Sequence, residues 1–191
     1  MKGISSAYAN RRTFLKMTAS AMLTTLFPHP VLAAVGPEDP ENYILSFYNI
    51  HTRERLNTCY RAKGKLIDRS MQRISYILRD YRTGEIRPID PTLLDLLHRI
   101  VIEVKPRSPI NIISGYRSPR TNAALRKITT GVAKKSLHME GRAIDIRIPG
   151  LRTTALRQLA VGLKSGGVGY YPTSNFVHLD TGPIKIWQHL Y

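Results

Sequence analysis

Residues 143–148, AIDIRI, are the clearest guide to the architecture of this chain. Its isoleucines occupy every second position, and Ala143, Asp145 and Arg147 lie between them. Alternation of apolar and other residues is typical of a strand with one face in the core, because successive side chains point to opposite faces of a sheet. The sequence therefore predicts a strand over 143–148 that carries Asp145 on the face away from the core.

A second strand of the same kind is predicted over residues 176–180. Its apolar residues Val177 and Leu179 share one face, so His178 lies on the other. Pairing of the two strands would bring Asp145 and His178 to the same surface of the sheet. We expect that surface to hold a site, while the opposite surface faces the core.

The remaining elements are predicted from apolar periodicity and turn residues. A hairpin of strands is predicted over 43–48 and 55–60, and a further strand over 109–113 that breaks at Ser114-Gly115. Helices are predicted over 67–81, from Pro91 to residue 104 with Asp90 as N-cap, over 122–127, and over 153–164 with an end at Gly166-Gly167. Together these elements predict a small α+β domain with a central, mainly antiparallel sheet and helices packed to one side.

The first 33 residues predict an export signal that is not part of the fold. Arg11 and Arg12 form a twin-arginine head before an uncharged stretch over 17–27. This run of about ten apolar residues is too short for a membrane span, which needs roughly 20, and small residues suit cleavage near Ala33. An uncleaved anchor is the alternative. We predict a signal peptide over 1–33, a linker over 34–42 and one domain over 43–191, periplasmic and without stable membrane insertion.

The chain is strongly basic, with 29 Lys and Arg against 13 Asp and Glu and a formal charge of +16. Removal of the signal takes away four basic residues and no acidic one, which leaves +12. Such a charge favours polyanions. Because the basic residues are scattered and form no nucleic-acid module, we expect an acidic wall or membrane surface and not nucleic acid. Cys59 is the single cysteine, so packing or a metal must stabilise the domain without an intrachain disulfide.

His138, Asp145 and His178 form a candidate set of metal ligands. Two imidazoles and one carboxylate suit zinc and leave a fourth tetrahedral position for water, as in catalytic sites, whereas structural sites are closed by four protein ligands. The spacing alone also occurs by chance, and a lone histidine is usually a hydrogen-bonded or surface residue. The other histidines of the predicted domain are interpreted as structural or solvated: His51, His98 and His189.

The segment 136–145, Ser-x-His-x-x-Gly-x-Ala-x-Asp followed by a strand-borne histidine, resembles the metal signature of the LAS metallopeptidases, in the branch of the D-alanyl-D-alanine peptidases. Four segments in the same order are similar to the murein endopeptidases of that branch: 114–118, 131–136, 166–172 and 175–182. The resemblance covers about residues 43–187. It implies a hedgehog and D-Ala-D-Ala peptidase-like fold with a zinc cleft, and hydrolysis of peptidoglycan cross-links between stem peptides, including links between two diaminopimelate residues.

The resemblance implies that His138, Asp145 and His178 are the zinc ligands and that Arg117 is the cation facing the carbonyl under attack. Zinc lowers the pKa of its bound water to about 7 and polarises the scissile carbonyl, and a guanidinium stabilises the developing oxyanion. The alternative for Arg117 is a surface arginine paired with a carboxylate. Its place just after a strand end and turn favours the site.

The general base is where this sequence departs from the family pattern. The better-known branch has an acidic group three residues before the last ligand, and this chain has Asn175 there. Asparagine does not accept a proton usefully at neutral pH. Asp180 is the candidate base, and orientation of a ligand imidazole is an equal alternative for it. Three further residues are expected around the cleft without a catalytic role: Ser136 in the ligand loop, Tyr170 and Tyr171.

Two alternatives to an endopeptidase follow from the same residues. A carboxypeptidase would trim terminal D-alanine, or act at L,D bonds, on the same stem peptides. A peptidoglycan-binding module would hold zinc without turnover, and the departure at Asn175 keeps this second alternative open.

Overall fold

The structure is a computed structural model that describes residues 41–129 and 132–189. The predicted signal peptide and nearly all of the predicted linker lie outside these residues. In chain order the elements are β1 (Asn42–Asn49), β2 (Arg55–Ala62), β3 (Lys65–Leu66), α1 (Asp68–Ile77), α2 (Pro91–Val104), β4 (Ile110–Ser114), α3 (Pro119–Ile128), a 3₁₀ turn (Leu137–Glu140), β5 (Ala143–Arg147), α4 (Thr153–Gly162), β6 (Gly167–Tyr171), β7 (Phe176–Asp180) and β8 (Lys185–Gln188).

The strands of the described chain form one eight-stranded mixed sheet in the order β3-β2-β1-β4-β5-β7-β6-β8. Five of the seven strand pairings are antiparallel, and β1 with β4 and β6 with β8 are parallel. The predicted α+β class with a mainly antiparallel sheet is confirmed. The strands that carry Asp145 and His178 are direct neighbours in it.

One face of the sheet carries the hydrophobic core. Ile144 and Ile146 of β5 and Val177 and Leu179 of β7 are fully buried there. Helices α1, α2 and α4 pack into the same cluster through Ile74, Leu78, Leu93, Leu97 and Leu156. Because alternate residues of a strand point to opposite faces, the other face of β5 and β7 is left for polar side chains.

The predicted helices are present, with shifted ends. Asp90 caps α2 as predicted, because its carboxylate accepts a hydrogen bond from the Thr92 amide at 2.8 Å. Helix α3 is longer than predicted because Ser118 caps it one turn earlier, with its hydroxyl accepting from the Thr121 amide at 3.2 Å. Across the described ranges, no helix has the length and hydrophobicity needed to cross a bilayer.

The end of α4 and the strand after it differ from the prediction. The helix ends at Gly162, and Gly167 already belongs to β6. Between them the chain reverses through Lys164 at φ +49° and Gly166 at φ +152°, so the glycine pair begins a strand and does not end the helix. Strand β6 was not predicted because its glycines interrupt the apolar alternation on which a strand prediction rests.

Asp80 joins the start of α3 to the turn that follows α1. This carboxylate is only 1% exposed. It accepts hydrogen bonds from the amides of Ser118 at 2.9 Å and Arg82 at 3.0 Å. Burial alone would raise the pKa of Asp80, but the hydrogen bonds from Thr121, Ser118 and Arg82 outweigh burial and hold the pKa below its usual value. The charged form therefore stabilises the fold.

We expect Asp80→Asn to lower the free energy of unfolding by about 2 kcal/mol near neutral pH, because buried amide donors lose an ionised acceptor. A group whose pKa is lower in the folded state stabilises above its unfolded pKa of about 3.9 and loses this effect as pH falls through its folded pKa. Urea unfolding at pH 7 and at about pH 3 should therefore show the gap between variant and wild type closing in acid. Asp68→Asn, on an exposed carboxylate of α1, is the control. An equal gap at both pH values would contradict this assignment.

Candidate metal centre

The register of β5 and β7 brings two of the three candidate ligands face to face. Asp145 of β5 lies directly opposite His178 of β7, on the face away from the core. His138 belongs to the 3₁₀ turn just before β5, and the hydroxyl of Ser136 caps this turn by accepting from the His138 amide at 3.4 Å. All three candidate ligands are buried, with exposures of 2%, 6% and 9% for His138, Asp145 and His178.

The ligand atoms of these residues form a small triangle. His138 Nε2 lies 3.1 Å from His178 Nδ1, His178 Nδ1 lies 2.8 Å from Asp145 Oδ1, and His138 Nε2 lies 3.3 Å from Asp145 Oδ1. Metal–ligand bonds of about 2.0–2.1 Å in a tetrahedral zinc site place neighbouring ligand atoms about 3.3 Å apart. The three donors therefore fit three corners of such a site, and the triangle is the group of His, Cys, Asp and Glu residues in the described chain that is arranged to hold a metal ion.

The outer nitrogen of each imidazole is fixed by a hydrogen bond. His138 Nδ1 donates to the carbonyl oxygen of Gly115 at 2.7 Å, and His178 Nε2 donates to Asp180 Oδ2 at 3.0 Å. When each ring is neutral, as a metal ligand must be, these bonds select the tautomer whose inner nitrogen offers a lone pair to a metal. A side chain at Gly115 would overlap the carbonyl oxygen of Leu78, so a glycine is required where this carbonyl approaches the ligand.

Asp180 is held behind His178. Its second oxygen, Oδ1, accepts from the amides of Gly167 at 3.0 Å and Gly182 at 2.8 Å. A side chain at Gly167 would overlap this carboxylate. Both carboxylate oxygens are thus engaged within the protein.

The pKa values of all three candidate ligands are shifted from their usual values. Burial by itself would lower the pKa of His178, but its hydrogen bonds to Asp145 and Asp180 outweigh burial and raise the pKa to about 9. Burial lowers the pKa of His138. Burial would raise the pKa of Asp145, but the two histidines outweigh it and hold the pKa far below its usual value. The carboxylates are therefore anionic at neutral pH, which is the form that binds a cation.

Arg117 borders the cluster on the side of β4. Its Nη2 lies 3.6 Å from Asp145 Oδ2 and donates to the Ser114 hydroxyl at 3.4 Å. The amide of Arg117 donates to the carbonyl of His138 at 3.1 Å, so the backbones of the arginine and a candidate ligand are tied together. The side chain lines the cleft and is 12% exposed.

The cluster lies in a cleft of about 890 Å³. Four basic residues line it: Arg82, Arg117, Lys135 and Lys185. Aromatic side chains form two groups in its wall: His51 and Tyr81, which stack at 3.8 Å, and Tyr171, Phe176, Trp187 and His189. The cleft thus combines a floor of candidate metal ligands with cationic and aromatic walls.

The other residues singled out in the sequence divide between the cleft and the core side of the sheet. Tyr171 lines the cleft, whereas Tyr170, the next residue of β6, packs against the core on the other face. His98 stacks on Tyr43, while His51 and His189 line the cleft without joining the ligand cluster. Gly115 and Trp187 were not predicted as parts of the site. The break at Ser114-Gly115 and the family-like segment 114–118 were the sequence signals near Gly115.

Asn175 does not line the cleft. It adopts φ +52°, a left-handed conformation that asparagine tolerates, in the turn between β6 and β7. Its side-chain oxygen accepts from the Thr153 hydroxyl at 3.2 Å. At this position the residue serves the turn and is not aimed at the ligands.

Known proteins of one family resemble the chain over nearly its whole length. The family model described as peptidoglycan L,D-endopeptidase MepK matches residues 38–187. The chain is 40% identical over 179 residues to the peptidoglycan L,D-endopeptidase MepK of Escherichia coli (strain K12), which covers 94% of this chain and 97% of that protein. It is 39% identical over 180 residues to the probable peptidoglycan L,D-endopeptidase MepK of Haemophilus influenzae, with 94% and 96% covered. No solved structure gives a significant match.

Proposed function

The chain belongs to the peptidoglycan L,D-endopeptidase MepK family of peptidases, and we propose that it is a zinc-dependent endopeptidase that hydrolyses the peptide cross-links of peptidoglycan. The observation that carries the zinc proposal is the triangle of His138, Asp145 and His178, whose ligand atoms lie within 4.8 Å of one another. Two imidazoles and a carboxylate are a donor set of catalytic zinc sites.

Arg117 and Asp180 have separate roles in the proposed amide hydrolysis. A bound zinc ion would activate water and polarise the scissile carbonyl. Arg117 supplies a fixed positive charge beside the site, where it stabilises the oxyanion that develops on that carbonyl. Asp180 orients the His178 ring through the 3.0 Å hydrogen bond to Nε2 and keeps the inner nitrogen available as a ligand. We favour this role over that of general base because both Asp180 oxygens are already engaged.

The walls of the cleft suit an anionic peptide. Stem peptides of peptidoglycan carry free carboxylates near their cross-links, and diaminopimelate adds further ones. Arg82, Lys135 and Lys185 line the cleft with Arg117 and complement such groups. The positive charge of the whole chain acts in the same direction by attracting an acidic wall.

A cell-wall substrate agrees with export from the cytoplasm. We propose that residues 1–33 are a twin-arginine signal peptide and that the enzyme acts in the periplasm. The twin arginines at Arg11-Arg12 and the short apolar run after them support this proposal.

Defined muropeptides test the proposed activity. The zinc-loaded protein without residues 1–33 is incubated with cross-linked dimers and with uncross-linked monomers that carry free tails, and the products are followed by mass spectrometry. Conversion of dimers to monomers is the expected result and identifies the bond. Shortening of the free tails alone would assign a carboxypeptidase. Retention on wall sacculi without any product would assign a binding module.

We expect Asp180→Asn to weaken zinc binding about 10- to 100-fold, because an amide orients the His178 ring less well and does not raise its basicity. Competition with a chelating dye measures the affinity, and turnover is measured again with excess zinc, which should restore most of it. Glu140→Gln, on an exposed carboxylate of the ligand turn, should change neither. Unchanged zinc affinity with about 100-fold lower turnover in excess zinc would instead identify Asp180 as the general base.

A further inference from the structure

Trp187 of β8 packs over the metal-binding cluster. It lies opposite Gly169 of β6, whose neighbour on the other side is His178. The Trp187 ring lies 5.1 Å from the His178 ring, centroid to centroid. A side chain at Gly169 would come within 2.6 Å of the indole. The glycine therefore allows the tryptophan to lie flat across β6 and reach the cluster.

The indole holds the hydroxyl of Tyr171. Trp187 Nε1 donates to this hydroxyl oxygen at 3.2 Å, and an indole N–H can only donate. The Tyr171 ring is fixed from both sides, since it stacks on Phe176 at 4.4 Å and on His189 at 5.6 Å. Tyr171 also points to the same face of the sheet as His178, because it lies two residues after Gly169 on β6.

The hydroxyl of Tyr171 is therefore a hydrogen-bond donor within the cleft. Its oxygen already accepts from Trp187, and within residues 41–129 and 132–189 its own proton meets no protein acceptor. Burial raises the pKa of Tyr171 and outweighs the Trp187 hydrogen bond, which lowers it; the Asp145 carboxylate also raises this pKa and the Arg117 guanidinium lowers it. The proton thus remains on the hydroxyl at neutral pH.

Tyr171 and Arg117 come from strands on opposite sides of the ligand-bearing pair β5 and β7. Arg117 follows β4, Tyr171 belongs to β6, and the ligand-bearing strands β5 and β7 lie between them in the sheet. Both side chains line the same cleft. A carbonyl bound over the cluster would have the guanidinium on one side and the phenol on the other.

We propose that Tyr171 is a catalytic residue of this enzyme, whose hydroxyl donates a hydrogen bond to the oxyanion that develops on the scissile carbonyl, and that Trp187 is a positioning residue for that hydroxyl. This inference rests on the proposed peptidase function. The tyrosine keeps its proton throughout, so it supplies a hydrogen bond and no proton transfer. A preorganised donor of this kind stabilises the transition state more than the bound substrate.

Tyr171→Phe tests the catalytic assignment, because it removes the hydroxyl and keeps the ring that stacks on Phe176. We expect kcat on cross-linked dimers to fall about 100-fold, with KM and zinc affinity within about twofold of wild type. Tyr170→Phe is the matched control on the same strand, and its side chain packs on the core face. A kcat within about threefold of wild type in Tyr171→Phe, or a loss that excess zinc restores, would overturn the assignment.

Trp187→Phe tests the positioning role. It should lower kcat about tenfold in the wild type and have no further effect in Tyr171→Phe, because the two residues act through one hydroxyl. Equal losses in both backgrounds would show that Trp187 does not act through Tyr171.

A second measurement is independent of turnover. Trp187 is the single tryptophan of the chain, so its fluorescence reports binding to the zinc-loaded protein. A phosphinate peptide, whose tetrahedral oxygens resemble the developing oxyanion, should bind Tyr171→Phe about 100-fold more weakly than wild type. Equal affinities would overturn the catalytic role of Tyr171. Wild-type protein that binds zinc but neither binds the phosphinate nor cuts dimers would overturn the peptidase function itself.

Discussion

A His178→Ala variant is expected to bind zinc at least about 1,000-fold more weakly than the wild type and to lose measurable endopeptidase activity. The substitution removes one corner of the 2.8–3.3 Å ligand triangle. It also leaves the buried carboxylates of Asp145 and Asp180 facing each other across the space of the lost ring. With no imidazole between them, these two negatively charged groups would repel each other.

Zinc content after dialysis, zinc affinity and dimer cleavage should be measured together on His178→Ala. Circular dichroism shows whether the fold is kept, and His178→Asn provides a polar substitute if the alanine variant does not fold. His98→Ala is the matched control, because His98 stacks on Tyr43 outside the cleft and should bind zinc normally. One zinc ion per chain and full cleavage in a folded His178 variant would refute the ligand set.

Arg117→Ala should lower kcat about 100- to 1,000-fold with zinc still bound, which corresponds to about 3–4 kcal/mol of transition-state stabilisation. The guanidinium is preorganised by its contacts with Asp145 and Ser114, and the Arg117 amide is bonded to the His138 carbonyl. A charge held in this way costs little reorganisation when the oxyanion develops. Arg117→Lys should recover only part of the rate, since an ammonium does not reproduce the planar guanidinium.

Because Arg117 contacts Asp145, it could stabilise the oxyanion or orient the ligand carboxylate. Steady-state kinetics at saturating zinc distinguish these two roles. A lower kcat with unchanged zinc affinity supports oxyanion stabilisation. A zinc affinity that falls 10- to 100-fold, with turnover restored by added metal, would instead mean that Arg117 orients the ligand carboxylate. Arg120→Ala, on an exposed arginine of α3, should leave both quantities unchanged.

The central part of the fold is accessible from sequence because β5 and β7 alternate cleanly. Ile144 and Ile146 face the core, so Asp145 must face away, and the same logic applies to His178 between Val177 and Leu179. The capping residue Asp90 and Pro91 likewise fix the start of α2. In these segments local pattern and tertiary packing agree.

The rest of the site depends on contacts that no local pattern encodes. The Gly115 carbonyl reaches His138 across 23 residues of chain, and a backbone oxygen has no residue type to reveal it. Trp187 belongs to a four-residue edge strand, β8, whose pairing with β6 is decided by tertiary packing. Its importance follows from the space left by Gly169, and a glycine in a sequence does not show what will occupy that space.

Asp145 lies directly opposite His178. The candidate metal centre therefore forms only when β5 and β7 pair in the correct register. If β7 slipped by one residue against β5, Val177 and Leu179 would enter the cleft, and His178 and Asp180 would be forced into the core. A misregistered sheet therefore offers no complete set of ligands. Because a metal would stabilise only the correctly paired form, rising zinc concentration would shift the population away from misfolded chains by mass action.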